Sequence, residues 1–163
     1  MQDIERKILS NEKITEKSAE FKKEGRKVIM VNGVFDLLHV GHIGFLRKAK
    51  AQGDILFVAV NSDLSVKSFK GDDKPIIPEN ERATMLASLF FVDYVTIFNE
   101  SKALDIIKKI KPDLLVKGIR PDPKRLEEEI ELVDANGWKI KQIIHNTTIS
   151  TGQIIDKIRD FKY

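Results

Sequence analysis

Apolar residues in this chain fall into short unbroken runs, and the stretches between the runs carry helical spacing. Val28 to Val31 and Ile55 to Val60 are continuous apolar runs of the kind found in strands covered on both faces. Tyr94 to Phe98, Leu114 to Lys117 and Lys139 to Ile144 continue the series. Between them the spacing turns helical: His42, Leu46 and Ala49; Met85, Leu86 and Leu89; then Ala103 to Ile110 and Leu126 to Ala135. Residues 1–27 read as a lead-in helical segment, with Ser10 as its cap, Ile14 and Phe21 as its apolar positions and Gly25 as its stop. Ser150 to Phe161 is the closing helix, apolar at Ile154, Ile155, Ile158 and Phe161. Five strands alternating with helices predict an α/β fold: one domain over residues 1–163, in three layers, with a five-stranded parallel sheet and right-handed crossovers. Ligands of such sheets bind beyond the carboxyl ends of the strands, where strand order reverses.

The segments that leave that edge carry the candidate chemistry. The first strand runs into Asn32-Gly33-Val34-Phe35-Asp36 and then into a helix start bearing His39, Gly41 and His42. Unpaired N–H groups and the helix dipole make such a turn favourable for an anion, and imidazole N–H groups can donate to its oxygens. Gly33 and Gly41 leave room for a phosphate to approach the backbone. No metal site is expected at the histidine pair, because the chain has no cysteine and its third histidine, His145, lies roughly a hundred residues on. Asn61 and Asp63 follow the second strand, with Asp63 placed to cap a short helix from Leu64 to Ser68. SVKSFKGDDKPIIPENER then reads as a basic, irregular lid carrying Lys67, Lys70 and Lys74, with Arg82 at the start of the next helix. Lys117, Gly118 and Arg120 leave the fourth strand at the same edge. Ser150 and Thr151 open the last helix, where hydroxyls and free N–H groups can hold a phosphate; N-capping by Ser150 or Thr148 predicts the same residues.

Composition narrows the class. No apolar run approaches the ~20 residues of a membrane span, and the N-terminus lacks a signal-peptide core, so a cytoplasmic protein is expected. A net charge of +3 with mixed signs gives no basic field, so neither nucleic acid nor membrane is expected as a partner.

The NGVFDLLHVGH string resembles the HxGH signature of the cytidylyltransferase-like nucleotidyltransferases, and the HIGH turn of class I aminoacyl-tRNA synthetases is related. The resemblance extends through GDILFVAVNSDLSVKSFKGDDKPIIPENER, VDYVTIF, KPDLLVKG and ISTGQIIDKI, whose order is similar to the branch that adenylylates heptose 1-phosphate. It implies a Rossmann-like nucleotidyltransferase fold and transfer of AMP from ATP, with Mg²⁺, to a sugar phosphate such as D-glycero-D-manno-heptose 1-phosphate. His39, His42, Lys70 and Arg82 would then be catalytic. Asn32, Gly33, Val34, Phe35, Asp36, Gly41, Asn61, Lys117, Gly118, Ser150 and Thr151 would bind the nucleotide, and Asp63 and Arg120 the acceptor. CTP or GTP could replace ATP. The rivals are a CTP-dependent enzyme of the glycerol-3-phosphate cytidylyltransferase type and a nucleotide-binding protein without catalysis. A homodimer is a family-level expectation, and the lack of a sugar-kinase half implies a separate kinase upstream. The chain departs from the branch at Ile119-Arg120-Pro121-Asp122, where Gly-Asp-Tyr usually follows, and at Gly152, where a second threonine is common.

Overall fold

The computed structural model describes residues 4–118, 122–143 and 149–161. A 3-10 turn at Ile4–Lys7 leads into α1 (Asn11–Lys23), β1 (Val28–Gly33), α2 (Val40–Lys50) and β2 (Ile55–Asn61). There follow α3 (Asp63–Lys70), α4 (Glu79–Ala87), β3 (Tyr94–Phe98), α5 (Leu104–Ile110), β4 (Leu114–Lys117), α6 (Pro123–Ala135), β5 (Lys139–Gln142) and α7 (Thr151–Arg159). The five strands form one parallel sheet in the order β3-β2-β1-β4-β5. Strand order therefore reverses at β1, and the crevice between the carboxyl ends of β1 and β4 is the expected ligand edge.

Alternation along the strands sorts the core into two layers. Ile29, Val31, Leu56, Val58, Val60, Leu114 and Val116 cluster with Phe45 and Leu46 of α2 and with Ala83 and Leu86 of α4. Val28, Met30, Ile55, Phe57, Ala59 and Leu115 cluster with Ile14 and Phe21 of α1, Ile106 and Ile107 of α5 and Val133 of α6. Both faces of the central strands are covered, which is why they read as unbroken apolar runs rather than as alternating ones. Where α2 returns to β2, Gly53 lies so near β1 that a Cβ there would meet Ile29 Cδ1 at 2.7 Å and the Lys27 carbonyl at 3.0 Å.

Local details differ from the sequence reading in three places. Ser62, not Asp63, caps α3: its hydroxyl accepts from Ser65 N–H, and Asp63 becomes the first helical residue. The passage expected to be irregular is helical at both ends, so only residues 71–78 link α3 to α4. The fifth strand ends at Gln142, and Ile144 lies outside the described residues, as does Thr148. Among the described residues no helix is long and apolar enough to cross a membrane.

Candidate active site

The turn after β1 is held in an unusual backbone conformation. Phe35 and Leu37 have φ of 54° and 42°, a left-handed region that costs a non-glycine residue on the order of 1–3 kcal/mol. Asp36, between them, supplies the compensation. Its carboxylate, 7% exposed, accepts from the N–H groups of Ile76 at 2.9 Å, Ile77 at 3.0 Å and Leu37 at 3.2 Å. The Asp36 carbonyl accepts from Thr151 Oγ1 at 3.0 Å, which ties the start of α7 to the same turn. Asp36 thus binds three parts of its own chain, and its carboxylate is not turned to a ligand.

That turn delivers the histidines. His39 is the N-cap of α2, and its Nδ1 accepts from Gly41 N–H at 3.1 Å. In the neutral ring this leaves the proton on Nε2. His42 stands one turn on. The two rings stack with centroids 4.0 Å apart and planes at 27°, and Phe35 meets His42 edge-on at 5.5 Å. The structure sets the two imidazoles side by side at the helix start. The space expected above Gly33 is filled, since a Cβ there would meet the Phe35 ring at 3.2 Å.

Arg82, expected to be catalytic, lies at 0% exposure beneath this turn. Nε donates to Ile77 O at 2.8 Å, one terminal nitrogen to Val34 O at 2.5 Å, and the other to Asn61 O at 2.9 Å and Asp63 Oδ1 at 2.6 Å. The guanidinium therefore joins the ends of β1 and β2, the 71–78 link and the first turn of α3. Asp63, expected to contact the acceptor, is its ion-pair partner.

Above the carboxyl ends of β1, β2 and β4 opens a cleft of about 550 Å³. Asn32, Gly33, Val34, Asn61, Lys70, Lys117 and Gly118 of the expected set line it. Two of them are held by a residue the sequence reading missed. Glu129, 4% exposed on α6, receives Lys117 Nζ at 2.9 and 2.7 Å, and the same ammonium donates to Asn32 Oδ1 at 3.0 Å. Glu129 and Val133 are i and i+4 on the buried face of α6, so an acid on an apolar stripe was the available signal. Replacing Glu129 with alanine leaves the Lys117 charge buried alone and is expected to cost about 3–5 kcal/mol. Replacing Glu129 with leucine and Lys117 with methionine together restores most of that stability, as thermal melts of the two variants will check.

Ser150 caps α7, its hydroxyl accepting from Gln153 N–H at 3.3 Å, and Thr151 donates to the β1 turn. Both lie near the histidine side of β1. Lys70 ends α3 at the cleft. Desolvation lowers its pKa from the ordinary lysine value; Asp36 opposes this, and Lys74 and Arg125 reinforce it. Arg120 lies outside the described residues.

Residues 30–157 match the family model described as cytidylyltransferase-like. The chain belongs to the cytidylyltransferase-like family. Among the relatives of this family member is the bifunctional protein HldE of Campylobacter jejuni subsp. doylei, 42% identical over 160 residues, covering 98% of this chain and 33% of the relative. HldE of Geobacter metallireducens is 44% identical over 137 residues, covering 84% of this chain and 28% of the relative. The chain thus spans about a third of the length of the curated relatives it matches. A solved structure, a lipopolysaccharide core biosynthesis protein from Thermoplasma volcanium, superposes with a TM-score of 0.63 at 28% identity, over 77% of this chain and 100% of the other. A pantoate-β-alanine ligase from Francisella tularensis shares the fold at TM-score 0.66 and 19% identity, over 94% of this chain and 78% of its own. The cytidylyltransferase-like chain thus places its HxGH histidines on the α2 side of β1 and opens its cleft between α3, α5 and α6 on the other.

Proposed function

We propose that this chain is a nucleotidyltransferase that moves AMP from MgATP to a sugar phosphate, with D-glycero-D-manno-heptose 1-phosphate as the acceptor. The observation that carries the reading is the stacked His39–His42 pair at the start of α2, beside a cleft lined by lysine, arginine and amide side chains. The likeness to the HldE proteins and to a lipopolysaccharide core biosynthesis protein supports an acceptor of the sugar-phosphate class.

In the proposed reaction a phosphate oxygen of the acceptor attacks the α-phosphorus. The bond from the α-phosphorus to the bridging oxygen breaks, and pyrophosphate leaves with the electron pair. The attacking oxygen is already anionic at neutral pH, so no general base is needed. The work is positioning and charge stabilisation. His39 and His42 donate to oxygens on the α-phosphorus as charge builds there. The exposed Ser150 hydroxyl and the open N–H groups of α7 suit the outgoing phosphates. Mg²⁺ enters as part of the nucleotide substrate, held by phosphate oxygens and water. The Asp36 carboxylate, on the histidine turn, is already committed to backbone N–H groups. Arg82 and Asp36 shape the turn and touch no substrate. Nucleoside triphosphate chemistry of this kind suits the cytoplasm.

The test is pyrophosphate release with Mg²⁺, crossing ATP, CTP and GTP against heptose 1-phosphate and glycerol 3-phosphate. Release with ATP and the heptose phosphate is expected. Release confined to CTP with glycerol 3-phosphate would replace the acceptor assignment. Nucleotide binding with no release for any acceptor would remove the catalytic one.

A further inference from the structure

Four cationic side chains line the cleft: Lys70, Lys102, Lys117 and Arg125. Two of them are neutralised within the protein. Lys102 pairs with Glu128 at 2.8 Å, and Lys117 with Glu129 at 2.7 Å. Among the described residues neither Lys70 nor Arg125 has a carboxylate or hydrogen-bond partner for its charged group. The Arg125 guanidinium instead lies over the Phe69 ring, 4.0 Å from its centroid. Phe69 immediately precedes Lys70 at the end of α3, so the stack brings the start of α6 across the cleft and sets the two unneutralised cations together.

This arrangement has a chemical meaning. Stacking on an aromatic face holds a guanidinium flat, favourable by cation–π attraction, while leaving its planar N–H fork free for an oxyanion. Two adjacent cations, neither ion-paired directly with a carboxylate, repel each other, and an anion held between them relieves that repulsion. Burial is the main cause of the lowered Lys70 pKa, and repulsion from Lys74 and Arg125 adds to it. Lys70 also lies within electrostatic reach of Asp36 in the histidine turn, so an anion between Lys70 and Arg125 would sit next to the site of transfer. Beyond it the cleft offers Ser101, Asn61 and Glu128, groups suited to hydroxyls.

Resting on the reaction proposed above, we infer that Arg125, braced by Phe69, and Lys70 form the clamp for the acceptor's phosphate, with the polyhydroxylated body of the acceptor lying deeper in the cleft. Arg125 is then a specificity-determining residue: it demands a dianionic phosphate on the acceptor. The same chemistry could serve the β and γ phosphates of the nucleotide, and kinetics separate the two.

Arg125→Ala, Arg125→Lys and Phe69→Ala are to be compared with the wild type for KM toward acceptor and toward ATP. Arg125→Ala is expected to raise acceptor KM by about 10- to 100-fold, the worth of a charge-assisted bidentate contact. ATP KM should stay within about twofold, because the contact is made to the other substrate. Arg125→Lys keeps the charge but loses fork and stack, and recovers only part. Phe69→Ala, which removes the brace and not the charge, should weaken the acceptor several-fold. A rise in ATP KM with acceptor KM unchanged would assign the cations to the triphosphate and overturn the inference, as would no change in either. Binding of inorganic phosphate without nucleotide, followed by ³¹P line broadening, gives a readout independent of turnover. Loss of that binding in Arg125→Ala supports the clamp even if no acceptor reacts, in which case the reaction assignment alone fails. Turnover by the wild type with phosphate binding untouched in Arg125→Ala removes the clamp and leaves the reaction standing.

Discussion

His42→Ala lowers kcat by about 10²- to 10³-fold, the cost of removing one preorganised donor from a transition state that gains negative charge. It does so without unfolding the chain. His42 is only partly buried, on the first turns of α2, and alanine is the better helix former there. The edge-on contact with Phe35 is lost, but it contributes only about 0.5–1.5 kcal/mol. KM for ATP should move much less than kcat, because the lost contact strengthens mainly as the α-phosphorus gains charge. Because the rings stack at 4.0 Å, removing both histidines should cost less than the product of the single losses. Steady-state pyrophosphate release and a thermal melt on the same samples decide it. Near-normal turnover in His42→Ala would sink the nucleotidyl-transfer assignment.

Arg82→Ala has the opposite signature, with stability failing first. Four acceptors lose their donor at once, and Asp63 is left as an uncompensated carboxylate beside buried backbone carbonyls. Losing a fully buried donor that serves three backbone carbonyls and a carboxylate one-third exposed costs about 3–5 kcal/mol. For a chain of this size that corresponds to a fall in Tm of roughly 6–20 °C. Arg82→Lys should recover little, since one ammonium cannot reach acceptors spread over β1, β2 and the 71–78 link. Activity falls too, through geometry. Arg82 on Val34 O and Ile77 O, with Asp36 on Ile76 and Ile77 N–H, holds Phe35 and Leu37 at positive φ. If that brace is released, the strained turn relaxes and the histidines lose their placement. Adding Asp63→Ala to Arg82→Ala should cost little more, because the partner is already gone. An Arg82→Ala protein that melts within about 2 °C of wild type would refute the bracing role, since it would imply a loss of under about 1 kcal/mol.

How far the chain could be read in advance depended on the distance over which each feature is encoded. Strands β1 to β4 and helices α2 and α5 were legible because burial on both faces or on one stripe leaves a local pattern. The histidine turn was legible for the same reason: strand end, glycine and paired histidines lie within one short stretch. Its inner geometry was not. Gly33 was read as space for phosphate, yet Phe35 folds back over it, because the left-handed backbone at Phe35 turns that ring inward. Arg82, following a basic lid at the start of a helix, reads as a catalytic cation, since an arginine there is usually exposed. Its burial depends on acceptors contributed from residues 34, 61, 63 and 77.

By itself, then, the amino-acid order determined the α/β architecture, the parallel sheet, the family and the HxGH histidines, all features written by neighbouring residues through backbone propensity and side-chain periodicity. Tertiary structure alone decided which charges are available to a ligand. Lys117 is neutralised by Glu129, Asp63 by Arg82 and Lys102 by Glu128, whereas Arg125 stacks on Phe69 beside Lys70. Apart from Lys117 with Glu129, these pairs are separated by 19 to 56 positions in the chain. Arg125 and Phe69 meet because the order β3-β2-β1-β4-β5 brings α3 and α6 to opposite walls of one cleft. A charge meets its partner through space, and strand order rather than sequence spacing determines which partner that is.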